Sequence, residues 1–262
     1  MWIEGVVSLW LYYNTRHMPR IALISDIHGN IEALDAVLVD IRSQRIDEIL
    51  CLGDIVGYGA APAECLRLIR QHCTETILGN HDEYLVNGLE NHVLSKRIGI
   101  PLVLAQQTIP KEEIQWLRNR PYTVACHGFT IVHGSLHHPK EFCYLLERRD
   151  AVLHFEGQGT PLCFHGHSHR PLITLSQPDG DIRWSIPRET ETLLDRNQKL
   201  AINVGSVGQP RDKDPRAAYG IYDTERNSFT LRRVAYDIEK AVQRIMNAGI
   251  PEENALRLRD GE

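Results

Sequence analysis

The stretch Arg20-Ile-Ala-Leu-Ile-Ser-Asp26-Ile-His28-Gly-Asn30 constrains this chain more than any other. Its apolar run, Ile21 to Ile24, has no polar face, so it predicts a strand covered on both sides. That strand runs into an acid and an imidazole two positions apart. Alternation along a strand end would put Asp26 and His28 on one side of the backbone, where an oxygen and a nitrogen donor can share a cation. Gly29 and Asn30 then turn the chain into a helix capped by Asn30, with Ile31, Leu34, Leu38 and Ile41 as its inward stripe. Alone, Asp-x-His also reads as a polar strand-to-helix loop. What decides between the two is whether further ligands follow.

A chain of 262 residues can bury a sizeable core. Its formal charge of −5 leaves no basic surplus for a phosphate backbone, which argues against dedicated nucleic-acid binding. The six cysteines include no Cys-x-x-Cys pair, the pattern of reduced thiols in a cytoplasmic protein. No apolar stretch approaches the roughly 18 to 20 residues of a membrane span. Histidine is the outlier, with 13 residues, several of them beside Gly, Asp or Asn. The residues leave self-association open.

Residues 1–18 read as an N-terminal extension, poorly ordered or forming an edge strand. The apolar segment within them lacks the basic flank and cleavage site of a signal peptide. Residues 19–248 read as one domain and 249–262 as a C-terminal tail. After the first strand and helix, strands are expected at 47–52 and 75–78 and a helix at 62–72. Further helices are expected around 83–96, with Gly99-Ile-Pro101 breaking the run, and around 111–119. Past Pro121 the pattern becomes a hairpin, 122–126 and 129–132 about His127-Gly128, then short strands near 161–165, 172–175, 182–186, 200–204, 217–223 and 228–235. The polar stretch 187–199 reads as a loop and 238–247 as a closing helix. An α/β half feeding a β-rich half without a linker predicts an α/β (α+β) fold: a four-layer α-β-β-α sandwich of two mixed sheets flanked by helices.

Four more clusters follow predicted strands: Gly53-Asp54-Ile-Val-Gly57-Tyr58-Gly59, Gly79-Asn80-His81-Asp82, Val132-His133-Gly-Ser135 and Phe164-His165-Gly166-His167-Ser168-His169. Strand ends of such sheets are where ligands bind, so these loops can converge. The donors are Asp26, His28, Asp54, Asn80, His133, His167 and His169, more than one ion can use. Oxygen and nitrogen without thiolate suit a pair of divalent Mn, Fe, Zn, Ni or Co ions rather than a structural zinc. Two ions about 3.5 to 4 Å apart clamp the attacking and leaving oxygens of phosphoryl transfer.

In this order, Asp26-x-His28, Gly53-Asp54-x-x-Gly57, Gly79-Asn80-His81-Asp82, His133 and Gly166-His167-x-His169 resemble the calcineurin-like metallophosphoesterase superfamily, over about residues 20 to 235. The resemblance implies that Asp26, His28 and His169 hold one metal, that Asn80, His133 and His167 hold the other, and that Asp54 bridges them. It implies attack on phosphorus by a metal-bridging hydroxide, with His81 touching the phosphate and serving as general acid. Manganese comes first among the metals.

Departures narrow the branch. The Ser/Thr protein phosphatases of this superfamily carry Asp and Arg where this chain has Gly57 and Tyr58, and Arg where it has Leu78. The segment Asn203-Val-Gly-Ser-Val-Gly-Gln-Pro-Arg211-Asp-Lys213 is similar to one in the compact bacterial and archaeal branch, which includes phosphodiesterases and diadenosine tetraphosphate hydrolases. Arg211 and Lys213 are candidate phosphate grips, unless they form a solvated hairpin. Tyr58 is a candidate for stacking on a ring at the pocket mouth, unless it only covers the core. The expected substrate is thus a small phosphodiester or dinucleoside polyphosphate. The alternatives are a phosphomonoesterase or protein phosphatase-like activity, a nuclease, or a non-catalytic metal-binding scaffold of the same fold. His137 and His138 are candidates for the pocket border and His165 for a core histidine. His17, His72, His92, His127 and His154 are expected at the surface or in turns.

Overall fold

The computed structural model describes residues 18–195 and 197–262. The extension expected at the N-terminus lies, but for Met18, outside these residues.

Two six-stranded mixed sheets face one another. The first is ordered β3 (Glu75–Thr76), β2 (Glu48–Cys51), β1 (Arg20–Ile24), β11 (Ala217–Asp223), β12 (Ser228–Val234), β9 (Thr192–Leu193). The second is ordered β4 (Thr123–Cys126), β5 (Phe129–Val132), β6 (Leu162–His165), β10 (Lys199–Asn203), β7 (Leu172–Ser176), β8 (Ile182–Ser185). Strand β1 shows why its sequence has no polar face. Ile21 and Leu23 enter the core between the sheets with Phe129, Phe164 and Ile202, whereas Ala22 and Ile24 face the helices with Leu34, Val37 and Leu66. Each fully buried Ile or Leu contributes roughly 1.5–3 kcal/mol relative to exposure.

Helices α1 (Ile31–Ser43) and α2 (Pro62–His72) cover the outer face of the first sheet. Asn30 caps α1 as expected, its side chain accepting from the Ala33 N–H at 3.1 Å. The short α3 (Asn80–Asn87), α4 (Lys96–Thr108) and α5 (Lys111–Arg118) follow. On the second sheet, α6 (Arg148–Gly157), which the periodicity of the chain does not announce, packs Ala151 and Phe155 against Ala201. Chain-terminal α7 (Ile238–Asn247) and α8 (Glu252–Asp260) pack together through Ala241, Ile245, Ala255 and Leu258. Helix α8 occupies the segment expected as a tail. No helix among the described residues is long and apolar enough to cross a membrane.

Several local expectations need correction. Gly99 and Pro101 do not break a helix; α4 runs through both. Proline removes the N–H that would bond the carbonyl four residues back. Here that carbonyl, Arg97 O, instead accepts from Asn254 Nδ2 of α8 at 2.9 Å. The polar stretch 187–199 contains β9, paired to β12. The third strand keeps only Glu75 and Thr76. His154 is no surface residue: it is fully buried on α6, where its Nδ1 accepts from the Leu136 N–H at 3.1 Å.

Burial pulls the His154 pKa down to about 4, which gives an acid-stability prediction. Between pH 6.5 and 4 the unfolded chain binds a proton at this ring that the folded chain refuses. Stability therefore falls as pH drops through that window, by up to about 3 kcal/mol from this group. Urea melts at pH 7 and 4.5 should show a smaller acid loss for His154→Gln than for the parent. Equal losses would show that another group is responsible.

Candidate metal centre

Strands β1, β2 and β3 are mutually parallel, as are β5, β6 and β10, so their carboxyl ends deliver all the donor loops to one edge of the sandwich. The loops are laced by backbone bonds: Asp26 N–H to Gly53 O (3.0 Å), His28 N–H to Asp54 O (2.9 Å), Gly166 N–H to His133 O (2.9 Å) and Gly208 N–H to Asp26 O (2.9 Å).

Asp26 and His28 do converge, but not by strand alternation. Strand β1 ends at Ile24, and both residues adopt left-handed backbone, with φ of 55° and 48°. Asp54 (55°), His167 (66°) and His169 (60°) do the same. A non-glycine residue in this region costs on the order of 1–3 kcal/mol and persists only where its surroundings enforce it. Five of the seven candidate donors thus sit on strained turns held by the interloop bonds.

Each carboxylate is used in the same way. Asp26 Oδ2 accepts from the His167 N–H at 3.0 Å, and its Oδ1 lies 3.2 Å from His169 Nε2 and 3.8 Å from both His28 Nε2 and His133 Nε2. Asp54 Oδ1 accepts from the His81 N–H at 2.8 Å, and its Oδ2 lies 3.3 Å from His133 Nε2 and 3.7 Å from His28 Nε2. One oxygen anchors; the other points into the cluster. Three imidazoles are oriented from behind: Nδ1 of His28, His133 and His169 bonds the carbonyls of Val56 (3.0 Å), Leu52 (2.7 Å) and Gln209 (2.6 Å). A carbonyl only accepts, so Nδ1 carries a proton, and in each ring that is neutral Nε2 is left as a lone pair facing inward.

The ligand atoms of Asp26, His28 and His169 come within 4.8 Å of one another, and so do those of Asp54, His133 and His167. A third such group joins His28, Asp54 and His81. The buried acceptors Asp26 Oδ1, Asn80 Oδ1 and His133 Nε2 have no hydrogen-bond partner. His28 Nε2 and His169 Nε2, both lone pairs by the argument above, stand only 3.0 Å apart. Facing lone pairs repel, and divalent cations are the groups such a donor set fits.

Except at His133, electrostatics keep the titratable candidate donors deprotonated. Burial opposes charge on Asp54, but His133 and His81 beside it outweigh burial and hold the carboxyl well below its usual range. Asp26 is likewise lowered against burial by His169 and His133. Burial lowers His28, His169 and His167, the last to about 3. His133 differs: burial acts against its charge, yet Asp54 takes it up to about 9. Asp82, raised to about 7 by burial and then by Asp54, accepts from the N–H groups of Ile55 (3.0 Å), Val56 (3.2 Å) and Gly79 (3.2 Å), so it ties the Asp54 loop to the Asn80 loop.

His81 stands at the wall of a cleft of about 290 Å³ lined also by Asp54, Asn80, His167, His169, Tyr58 and Arg211. Its ring is wedged between Tyr58 (4.6 Å between centroids) and His28 (4.9 Å), and its Nδ1 has no partner. The position that holds an acid in the protein phosphatases is Gly57, whose φ is 89°; a Cβ there would fall 2.3 Å from His81 Nδ1. Packing, not a carboxylate, positions this imidazole.

Arg211 lies over the Tyr58 ring, 5.4 Å from its centroid. Lys213, Arg211's expected companion, is exposed and does not line the cleft, nor do His137 and His138. His165 is a core histidine, Asn203 Nδ2 lying 3.3 Å from its Nδ1. Tyr84, Phe142 and Tyr144 line the cleft without any motif to mark them. Tyr144 stacks on His167 at 4.0 Å, a contact between remote loops that no spacing could signal. A larger groove of about 500 Å³, lined by Pro161, Leu162, Leu200 and Tyr222, lies away from the donor loops.

The model of the calcineurin-like phosphoesterase superfamily domain matches residues 19–227. The chain belongs to this superfamily. It is 39% identical to an uncharacterized protein of Methanocaldococcus jannaschii over 88% of this chain and 94% of that one. The crystal structure of a metallophosphoesterase from Sphaerobacter thermophilus superposes with a TM-score of 0.81 at 36% identity, covering 93% of this chain and 99% of that one. A symmetrical bis(5'-nucleosyl)-tetraphosphatase of Actinobacillus pleuropneumoniae is 28% identical over 127 residues, 44% of each chain. As a member of this superfamily, the protein is a metal-dependent phosphoester hydrolase.

Proposed function

We propose that the protein hydrolyses a small phosphodiester or dinucleoside polyphosphate at a two-metal site. Asp26, His28 and His169 hold one ion, Asn80, His133 and His167 the other, and Asp54 is shared. The observation that carries this reading is the placement of Asp54, whose Oδ2 lies 3.7 Å from His28 Nε2 and 3.3 Å from His133 Nε2 while its Oδ1 is pinned by the His81 N–H. Two bound divalent ions, manganese first, supply Lewis acidity toward the phosphoryl oxygens and lower the pKa of a water.

The chain's own groups do the rest. His81 reaches the leaving oxygen as general acid. Burial keeps its pKa near 4 in the free protein, and an anionic ester in the cleft brings the negative charge that favours the protonated ring. Arg211 meets the phosphate, and Tyr58 gives it a flat cation–π seat. Gly57 and Leu78, where protein phosphatases carry Asp and Arg, favour a small substrate, and the tetraphosphatase relative points the same way.

Manganese-loaded protein should hydrolyse bis(p-nitrophenyl) phosphate and a dinucleoside tetraphosphate, and a chelator should abolish both activities. A purified protein that binds no divalent metal, or that binds it and turns over neither substrate, would overturn the reading.

A further inference from the structure

The last helix of the chain is tied to the wall of the cleft at two points, and Arg257 lies between them. Near its start, Asn254 Nδ2 donates to Tyr58 O (3.0 Å) and to Arg97 O (2.9 Å). Just past its end, Gly261 O accepts from the Lys213 N–H at 2.9 Å, tying the helix to the loop that carries Arg211. Positions three apart are neighbours on a helix, so Arg257 lies on the same side of α8 as Asn254, one turn nearer its C-terminal end. Arg257 therefore faces the seam between the Tyr58 loop and the Arg211 loop, where Arg211 covers the Tyr58 ring.

Among the described residues, the one carboxylate within ion-pair reach of this seam's arginines is Glu253, 3.5 Å from Arg97 Nε. Arg216, Arg232, Arg244 and Arg259 each pair with a carboxylate, at 2.7 to 2.9 Å. Among the described residues neither Arg211 nor Arg257 has such a partner. The guanidinium of Arg211 bonds only the neutral Gln209 Oε1, at 2.8 Å, and its Nε is buried without a partner. Burial, then the charges of Arg211 and Arg97, bring the Arg257 pKa down to about 10, against the smaller opposing effects of Tyr58 and Glu262. Like charges gathered on a half-buried wall cost free energy that a polyanion recovers through charge-assisted hydrogen bonds.

We propose that Arg257 and Arg97, next to the Arg211 that meets the scissile phosphate, form a second anion subsite that holds the neighbouring phosphate group, so that the preferred substrates carry a phosphoanhydride chain. The proposal rests on the phosphoesterase reading and deepens it. Arg211 lines the cleft with His81 and His169; Arg257, on the helix tied to the loops of Tyr58 and Arg211, would lie beyond it.

The test compares kcat/KM on a dinucleoside tetraphosphate with kcat/KM on bis(p-nitrophenyl) phosphate, which has a single phosphorus. Arg257→Gln should lower the ratio of the two by about 10- to 100-fold, mainly through KM, and Arg257→Lys should recover part of it. Calorimetric titration of the metal-free protein with tripolyphosphate should show binding that Arg257→Gln weakens by a similar factor. Equal losses on both substrates, or no loss on either, would overturn the subsite by giving Arg257 a merely structural role or none. Turnover of both substrates with tripolyphosphate binding indifferent to Arg257 would refute the subsite and leave the phosphoesterase intact. Absence of all turnover with Arg257-dependent tripolyphosphate binding would refute the enzyme reading and keep the subsite.

Discussion

His81→Ala is expected to lower kcat on bis(p-nitrophenyl) phosphate by about 10²- to 10⁴-fold, the range of a lost general acid, with metal content preserved. The more telling variant is Gly57→Ala, which removes no functional atom. Its new methyl would fall 2.3 Å from His81 Nδ1 and 2.9 Å from Cγ, at a backbone φ of 89° that alanine tolerates poorly. The imidazole has to leave its place between Tyr58 and His28. We expect kcat to fall toward the His81→Ala level while both ions stay bound, as judged by elemental analysis of the same sample. A Gly57→Ala enzyme with parental kcat would show that the position of this ring is not needed for turnover.

Asp54→Asn is expected to act on the metals themselves. The amide keeps the shape of the side chain and can still accept from the His81 N–H, but it withdraws the negative charge that His133 and His28 share. Breaking a buried charge pair of this kind costs about 3–5 kcal/mol, roughly 10²- to 10⁴-fold in affinity. Metal titration should show the loss at both ions, because one carboxylate serves both sets, whereas Asp26→Asn should weaken chiefly the ion held with His28 and His169. Retention of both ions at parental affinity in Asp54→Asn would remove Asp54 from the shared position.

The residues that could be found from the chain alone were those whose signal is local. The apolar run Ile21 to Ile24 reads as a covered strand because both of its faces are covered, and the His127-Gly128 hairpin reads correctly because the two turn residues, at φ of 47° and 82°, are of types that tolerate left-handed backbone. Local sequence does not reveal that α4 passes through Pro101, because the freed Arg97 carbonyl is satisfied by Asn254, more than 150 positions away. Nor does it reveal the burial of His154, because α6 has no clear apolar period to show that its ring is turned inward.

At the site, residue types and order were enough to name seven donors and His81, since metal chemistry demands particular atoms and those atoms cluster beside strand ends. What the chain by itself determined is this inventory, and the two sheets whose ends carry it. How the candidate donors meet was decided by tertiary structure alone: left-handed turns at five of them, carbonyls that hold three Nδ1 atoms and turn the Nε2 atoms inward, and a glycine that lets packing position His81. Those features depend on bonds between loops far apart in sequence. The same holds for α8, whose ties to the loops of Tyr58 and Arg211 join positions far apart in the chain.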